Sequence, residues 1–207
     1  MTVVLLHGLA RGHRSLSPVR RALERAGFPT WARSYPSRAR PIADLARETA
    51  ARIRDDVPDG ELAAVTHSLG GILVRHMGAL LPFRAVVMLA PPNRGSRVAQ
   101  AFASHPLYRW FYGPAGAELA DPSRWPPPPS PFAVIAGTRG LDPKNPVTWL
   151  TRRAIPAAEP SDGTVTVEET RLDGMAAFAT VDASHTFIAR HPEVHALVLR
   201  FLRDQHF

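Results

Sequence analysis

Short, wholly apolar runs alternate with longer segments of helical periodicity through the first half of the chain, and this alternation most restricts the possible folds. Residues 3–6 (Val3-Val4-Leu5-Leu6) are apolar at every position and end at His7-Gly8, as expected of a strand buried on both faces. Ser15-Leu16-Ser17-Pro18 then opens a helix, with Ser17 expected as its N-cap and Pro18 at its first position. Val19, Leu23 and Ala26 follow at helical spacing and Gly27 stops it. A second strand is expected over 30–35. A helix begins at Pro41-Ile42, with Ile42, Leu45, Ala46, Thr49 and Ile53 on one face. A third strand over 62–66, a helix over 69–81 and a fourth strand over 84–89 follow. Strands over 132–136 and 176–181 and an amphipathic helix over 194–202 complete the series. Strands apolar on both faces, separated by helices, imply an α/β fold: a mostly parallel sheet of about six strands, covered on both sides.

The chain has 207 residues, 45% hydrophobic and 21% charged, enough for one domain with a substantial core. Two segments interrupt the alternation and read as insertions at the sheet's edge rather than as separate domains. Residues 96–131 carry Phe102, Leu107, Tyr108, Trp110, Phe111, Tyr112 and Trp125, and end in Pro126-Pro127-Pro128-Pro129, a stiff connector unsuited to a sheet interior. Residues 140–161 are polar and proline-bearing with little periodicity. A single domain over 1–207 is therefore expected, with a small cap-like insertion around 96–130.

The absence of cysteine excludes disulfides, thiolate metal sites and a cysteine nucleophile. The net charge of +7, from 25 basic and 18 acidic residues, is almost entirely arginine, Lys144 being the one lysine. The arginines are dispersed and form no basic tract, so no nucleic-acid partner is expected. The first residues show no basic start, long apolar stretch and small-residue cleavage site. No run approaches the length of a membrane span, so no integral membrane segment is expected and the cytoplasm is the expected location.

The chemistry centres on Val65-Thr66-His67-Ser68-Leu69-Gly70-Gly71, between an expected strand and an expected helix. A serine on such a turn has its hydroxyl lifted above the sheet, in a backbone geometry that demands small neighbours, of which Gly70 supplies one, while Gly71 allows close helix packing. The helix that follows aims its first amides at the same point, where they favour developing negative charge. A serine hydroxyl needs a base. Of the nine histidines, His185, in Ala183-Ser184-His185-Thr186-Phe187, follows the last strand and belongs to the sheet edge that bears Ser68, where open α/β folds place their sites. His67 leaves the turn in another direction, and His191 is followed by Pro192, a helix-start signal. The base needs an acid to hold its tautomer. Asp162, in Ser161-Asp162-Gly163-Thr164-Val165, gives the chain order Ser, Asp, His, with Asp142 as the principal rival and Asp173 and Asp182 behind it. The Leu69 and Leu9 amides are the expected oxyanion donors, Gly8 allowing the tight turn beside Leu9.

These motifs resemble the α/β-hydrolase superfamily, especially small bacterial esterases and lipases. The likeness extends through His7-Gly8, the Ser68 elbow, Pro91-Pro92-Asn93-Arg94-Gly95-Ser96, Asp162-Gly163-Thr164-Val165 and Ser184-His185. It implies a minimal α/β-hydrolase fold without the antiparallel strands that usually come first, and cleavage of a small-molecule or lipid ester through an acyl-enzyme on Ser68, with no cofactor. His67, Asn93, Trp110 and Phe111 are the candidate substrate contacts. The chain departs from the usual elbow at Thr66, where glycine is common. The same three residues would serve an acyltransferase, thioesterase or amidase, and a catalytically silent binding protein could keep the fold.

Overall fold

The computed structural model describes residues 1–144, 147–151, 154–156 and 158–207. The elements run β1 (Thr2–Leu6), α1 (Ser17–Arg25), β2 (Thr30–Trp31), α2 (Ile42–Asp56), β3 (Leu62–His67), α3 (Leu69–Met77) and β4 (Phe83–Leu89). There follow α4 (Arg97–Phe102), α5 (Pro106–Glu118), β5 (Phe132–Gly137), α6 (Val147–Thr151), α7 (Val167–Thr170), β6 (Ala177–Val181) and α8 (Pro192–Asp204). The six strands form one sheet in the order β2-β1-β3-β4-β5-β6, and every pairing is parallel.

Alternation along each strand divides the core in two. Val4, Leu6, Ala64, Val86, Met88 and Val134 face α2 and α3, whose Leu45, Ile53, Ile72 and Met77 are fully buried. Val3, Leu5, Val65, Val87, Leu89 and Ile135 face α1 and α8, meeting Leu23, Val198 and Phe201. Each such side chain contributes about 1.5–3 kcal/mol by leaving water, which is why these strands are apolar at every position.

The first connection runs from β1 to its neighbour β2, and the next returns past β1 to β3. The order therefore reverses between β1 and β3, which are paired up to Leu6 and Thr66. A crevice opens beyond the carboxyl ends of strands at such a point. His7-Gly8 and His67-Ser68 emerge side by side at its base.

Three expectations change in detail. The strand expected over 30–35 keeps only Thr30–Trp31, because Tyr35 turns inward to stack on His7 with ring centroids 3.9 Å apart. The helix expected over 69–81 ends at Met77, and the chain turns through Gly78 to Leu81. Leu16, the last residue of a 3-10 turn over His13–Leu16, occupies the N-cap position of α1 in place of Ser17 and makes no side-chain cap. The aromatic segment forms α4 and α5, the latter broken at Gly113. A Cβ there would overlap the Arg38 carbonyl, so α5 lies directly on the loop after β2. Glu118 at its end caps α2, accepting a 2.9 Å bond from the Ile42 amide. Residues 145–146, 152–153 and 157 of the second irregular segment, 140–161, lie outside the described residues. No described helix is long and apolar enough to cross a membrane.

Candidate functional site

Ser68 lies between β3 and α3 at φ 53°, ψ −119°. Such a conformation costs a residue with a side chain of the order of 1–3 kcal/mol and persists only where its surroundings impose it. Here the Ser68 amide donates to the Leu89 carbonyl at 2.9 Å, and the Ser68 carbonyl accepts from Gly71 at 2.8 Å. Gly70 lets α3 start against β1: a Cβ there would sit 2.3 Å from the Leu6 carbonyl oxygen. Ala10 (φ 55°) and Ala90 (φ 47°), in the loops after β1 and β4, also have positive φ, so backbone strain gathers at one edge of the sheet. Thr66, in the position where glycine is common, sits in register between Leu6 and Met88, and its buried hydroxyl has no hydrogen-bond partner among the described residues.

His185 and Asp162 come together in the loops after β6 and β5. His185 Nδ1 lies 2.6 Å from Asp162 Oδ2, and the His185 amide donates to the Asp162 carbonyl at 2.9 Å. The other carboxylate oxygen accepts from the Thr164 and Val165 amides at 2.9 and 2.8 Å. Three donors thus hold the Asp162 side chain, and Gly137 makes room for it, a Cβ there falling 2.8 Å from Asp162 Cβ. An Nδ1–H committed to a carboxylate leaves His185 Nε2 as the acceptor nitrogen. Asp142 takes a different partner, accepting from Ser184 Oγ at 2.6 Å and from the Lys144 amide at 2.9 Å. These bonds, the Ser184 hydroxyl foremost, hold its carboxyl below the usual range. Asp142 therefore braces the residue next to His185, while Asp162 meets the ring.

His67 is buried, with Nε2 3.0 Å from the His185 carbonyl and its ring 4.7 Å from the His185 ring. A carbonyl only accepts, so Nε2 carries the hydrogen. Burial, followed by the neighbouring His185 and Arg11, pushes its pKa well below the usual histidine value. His7 is also buried and lowered, chiefly by desolvation. Its Nε2 accepts from the Tyr35 amide at 3.2 Å and its Nδ1 lies 2.9 Å from the Gly8 carbonyl, while the Tyr35 hydroxyl donates to the His7 carbonyl. With the Ala10 amide bonded to Ser37 Oγ at 3.0 Å, these contacts fasten the loop that bears Leu9. Leu69 is the first residue of α3, so its amide has no partner within the helix.

A cavity of about 360 Å³ joins these groups, lined by Gly8, Leu9, His67, Ser68 and His185 among others. Among the described residues Ser68 Oγ makes no hydrogen bond, a common state of such hydroxyls before substrate arrives. The aromatic segment divides. Tyr108, Phe111 and Tyr112 line the cavity, Trp125 enters the core, and Trp110 is 77% exposed beside an adjacent groove. Asn93 is not at the cavity wall: the turn from Pro92 to Gly95 carries it inward, where its amide nitrogen donates to the Thr170 carbonyl at 2.9 Å. Pro92 and Ser96 flank the cavity instead. Two residues at the site escape sequence reasoning, Arg11 in the cavity wall and Tyr35 behind His7, since neither stands in a motif. Among the described residues no cluster of three or more His, Asp or Glu offers a metal its ligands.

No protein-family model matches the chain, and no curated protein matches it in sequence. Solved structures do match in shape. The lipase BlEst2 of Bacillus licheniformis, in its mature form, superposes with a TM-score of 0.73 at 18% identity, over 98% of this chain and 90% of that one. The phospholipase PlaB of Legionella pneumophila gives 0.71 at 20% identity, over 100% of this chain and 60% of that one. The Arabidopsis methylesterase MES16 gives 0.62 at 16% identity, over 98% and 99%. At such identities the likeness is one of architecture, and with the parallel sheet and its order it establishes that this chain has the α/β-hydrolase fold.

Proposed function

We propose that the chain is a serine hydrolase of carboxylic esters, with Ser68 as nucleophile, His185 as base and Asp162 as the acid that orients it. The observation that carries this reading is the 2.6 Å contact between His185 Nδ1 and Asp162 Oδ2, beside a cavity that Ser68 also lines. Ser68 Oγ forms a bond to the substrate's carbonyl carbon as its proton passes to His185 Nε2. The oxyanion is held by the Leu9 and Leu69 amides, each such donor contributing about 3 kcal/mol to the transition state. The ester C–O bond breaks, and the alcohol leaves with the proton from His185. Water repeats the sequence on the acyl-enzyme, giving the free acid and restoring Ser68. His67 is unsuited to act as base, since its Nε2 hydrogen is held by the His185 carbonyl and its acceptor strength is reduced by burial. Tyr108, Phe111 and Tyr112 supply an apolar wall for part of the substrate. The ester-hydrolase names of the structural neighbours agree with this chemistry.

The test is hydrolysis of p-nitrophenyl esters from acetate to palmitate together with labelling by a fluorophosphonate. Turnover and labelling in the parent, both lost in Ser68→Ala, are expected. A folded parent that cleaves none of the series and takes no label refutes the reading.

A further inference from the structure

Among the described residues that line the cavity, Arg11 is the one Lys, Arg, Asp or Glu. It is half-buried, and no carboxylate of the described residues lies within ion-pair distance of it. One guanidinium nitrogen donates to Thr186 Oγ1 at 2.9 Å, beside His185. A guanidinium has five N–H donors, so that bond leaves most of its capacity unused. Arg38 lines the adjoining groove with it; of the neighbouring groups, Tyr112 acts in favour of its charge and Arg190 against it. Desolvation, the larger effect, lowers its pKa below the ordinary value. A desolvated cation without a counter-ion is costly, and an anionic ligand that supplies one recovers that cost on binding.

We propose that Arg11 forms an anion subsite beside Ser68, and that the substrate is an ester carrying a carboxylate or phosphate group near the scissile carbonyl. This rests on the reading of Ser68 as the nucleophile of an ester hydrolase. The shared chemistry is an oxyanion able to take two or more charge-assisted N–H bonds from a guanidinium, in a cavity whose described walls hold no carboxylate.

The experiment measures kcat/KM for two matched pairs: monomethyl glutarate against dimethyl glutarate, and butanoylglycerol phosphate against butanoylglycerol. The parent is expected to prefer the anionic member of at least one pair by about ten- to a hundredfold, the range of a charge-assisted bond. The pair that shows the preference identifies carboxylate or phosphate. Arg11→Gln is expected to bring that ratio close to one, and Arg11→Lys, which keeps the charge, to restore part of it. No preference in the parent, or a ratio unchanged in Arg11→Gln, overturns the proposal and leaves Arg11 as a brace for Thr186. Calorimetry on Ser68→Ala separates this outcome from failure of the hydrolase reading. Tighter binding of monomethyl glutarate or butanoylglycerol phosphate than of the neutral partner, lost when Arg11→Gln is added, supports the subsite even if no ester is turned over. Equal binding with and without Arg11 refutes it.

Discussion

Replacing Asp162 by asparagine tests the proposed catalytic geometry most directly, because only one polar contact changes character. Asp162 Oδ1 accepts from the Thr164 and Val165 amides, and an asparagine oxygen can keep both bonds. The amide nitrogen then falls where Oδ2 stood, 2.6 Å from His185 Nδ1. An NH₂ group donates, so it favours the tautomer with Nδ1 bare and the hydrogen on Nε2, and a ring in that state cannot take the Ser68 proton. In serine triads this change costs about 10⁴ in kcat, or about 5 kcal/mol at 1.36 kcal/mol per decade. Asp142→Asn is the matched control. It weakens the bond from Ser184 Oγ, one residue from His185, by about 1 kcal/mol, so a loss of less than about tenfold is expected. The assay is kcat/KM on a p-nitrophenyl ester at neutral pH, with the rate of fluorophosphonate labelling and the thermal midpoint measured on the same samples. Equal losses in the two variants at unchanged thermal midpoint, or a loss below about tenfold in Asp162→Asn, would refute the assignment of Asp162 to the acid role.

Gly70→Ala places a Cβ 2.3 Å from the Leu6 carbonyl oxygen and 2.9 Å from its carbon, both backbone, so β1 and α3 must separate. A loss of about 1–3 kcal/mol, a fall of about 3–10 °C in Tm, is expected by calorimetry. Thr66→Val removes a buried hydroxyl that has no partner among the described residues, and a gain of about 1 kcal/mol in urea unfolding is expected; a loss of that size would show that the hydroxyl is satisfied in solution. His7 and His67 both have folded pKa values below their unfolded value, so below about pH 6.5 the unfolded chain binds more protons than the folded one. Their contribution is therefore complete above the unfolded value and declines on acidification towards the folded pKa. The slope is at most about 1.4 kcal/mol per pH unit for each histidine, read from denaturant midpoints between neutral pH and pH 5. A midpoint that does not fall over that range would contradict the burial of both rings as neutral groups.

The strands and most helices were legible in the chain because a buried parallel strand needs apolar residues at every position and a covering helix needs them on one face. Val3–Leu6 and the Ile42-Leu45-Ala46-Thr49-Ile53 face state those requirements locally. The final helix follows from the same rule. The shortening of β2 was not legible, because the six residues from Thr30 to Tyr35 suit a strand by composition. What ends the strand is Tyr35 stacking on a histidine 28 positions earlier. Asn93 shows the same limit: it stands in a recognisable motif, yet the turn that follows β4 sends it into the interior.

The sequence by itself determined the sheet, the turn that bears Ser68 and the chain order of serine, aspartate and histidine, since each follows from interactions between near neighbours or from the period of apolar positions. Only the tertiary structure decided between the carboxylates. Asp142 and Asp162 both precede His185 and both lie after β5, and the spacing of residues carries no information about which one meets the ring. The loops after β5 and β6 resolve it by bonding Asp142 to Ser184 and Asp162 to His185. Arg11 was invisible for the same reason. One arginine among many becomes distinctive only when folding leaves it in a shared cavity without a carboxylate beside it, a property that arises from burial and distance rather than from residue type.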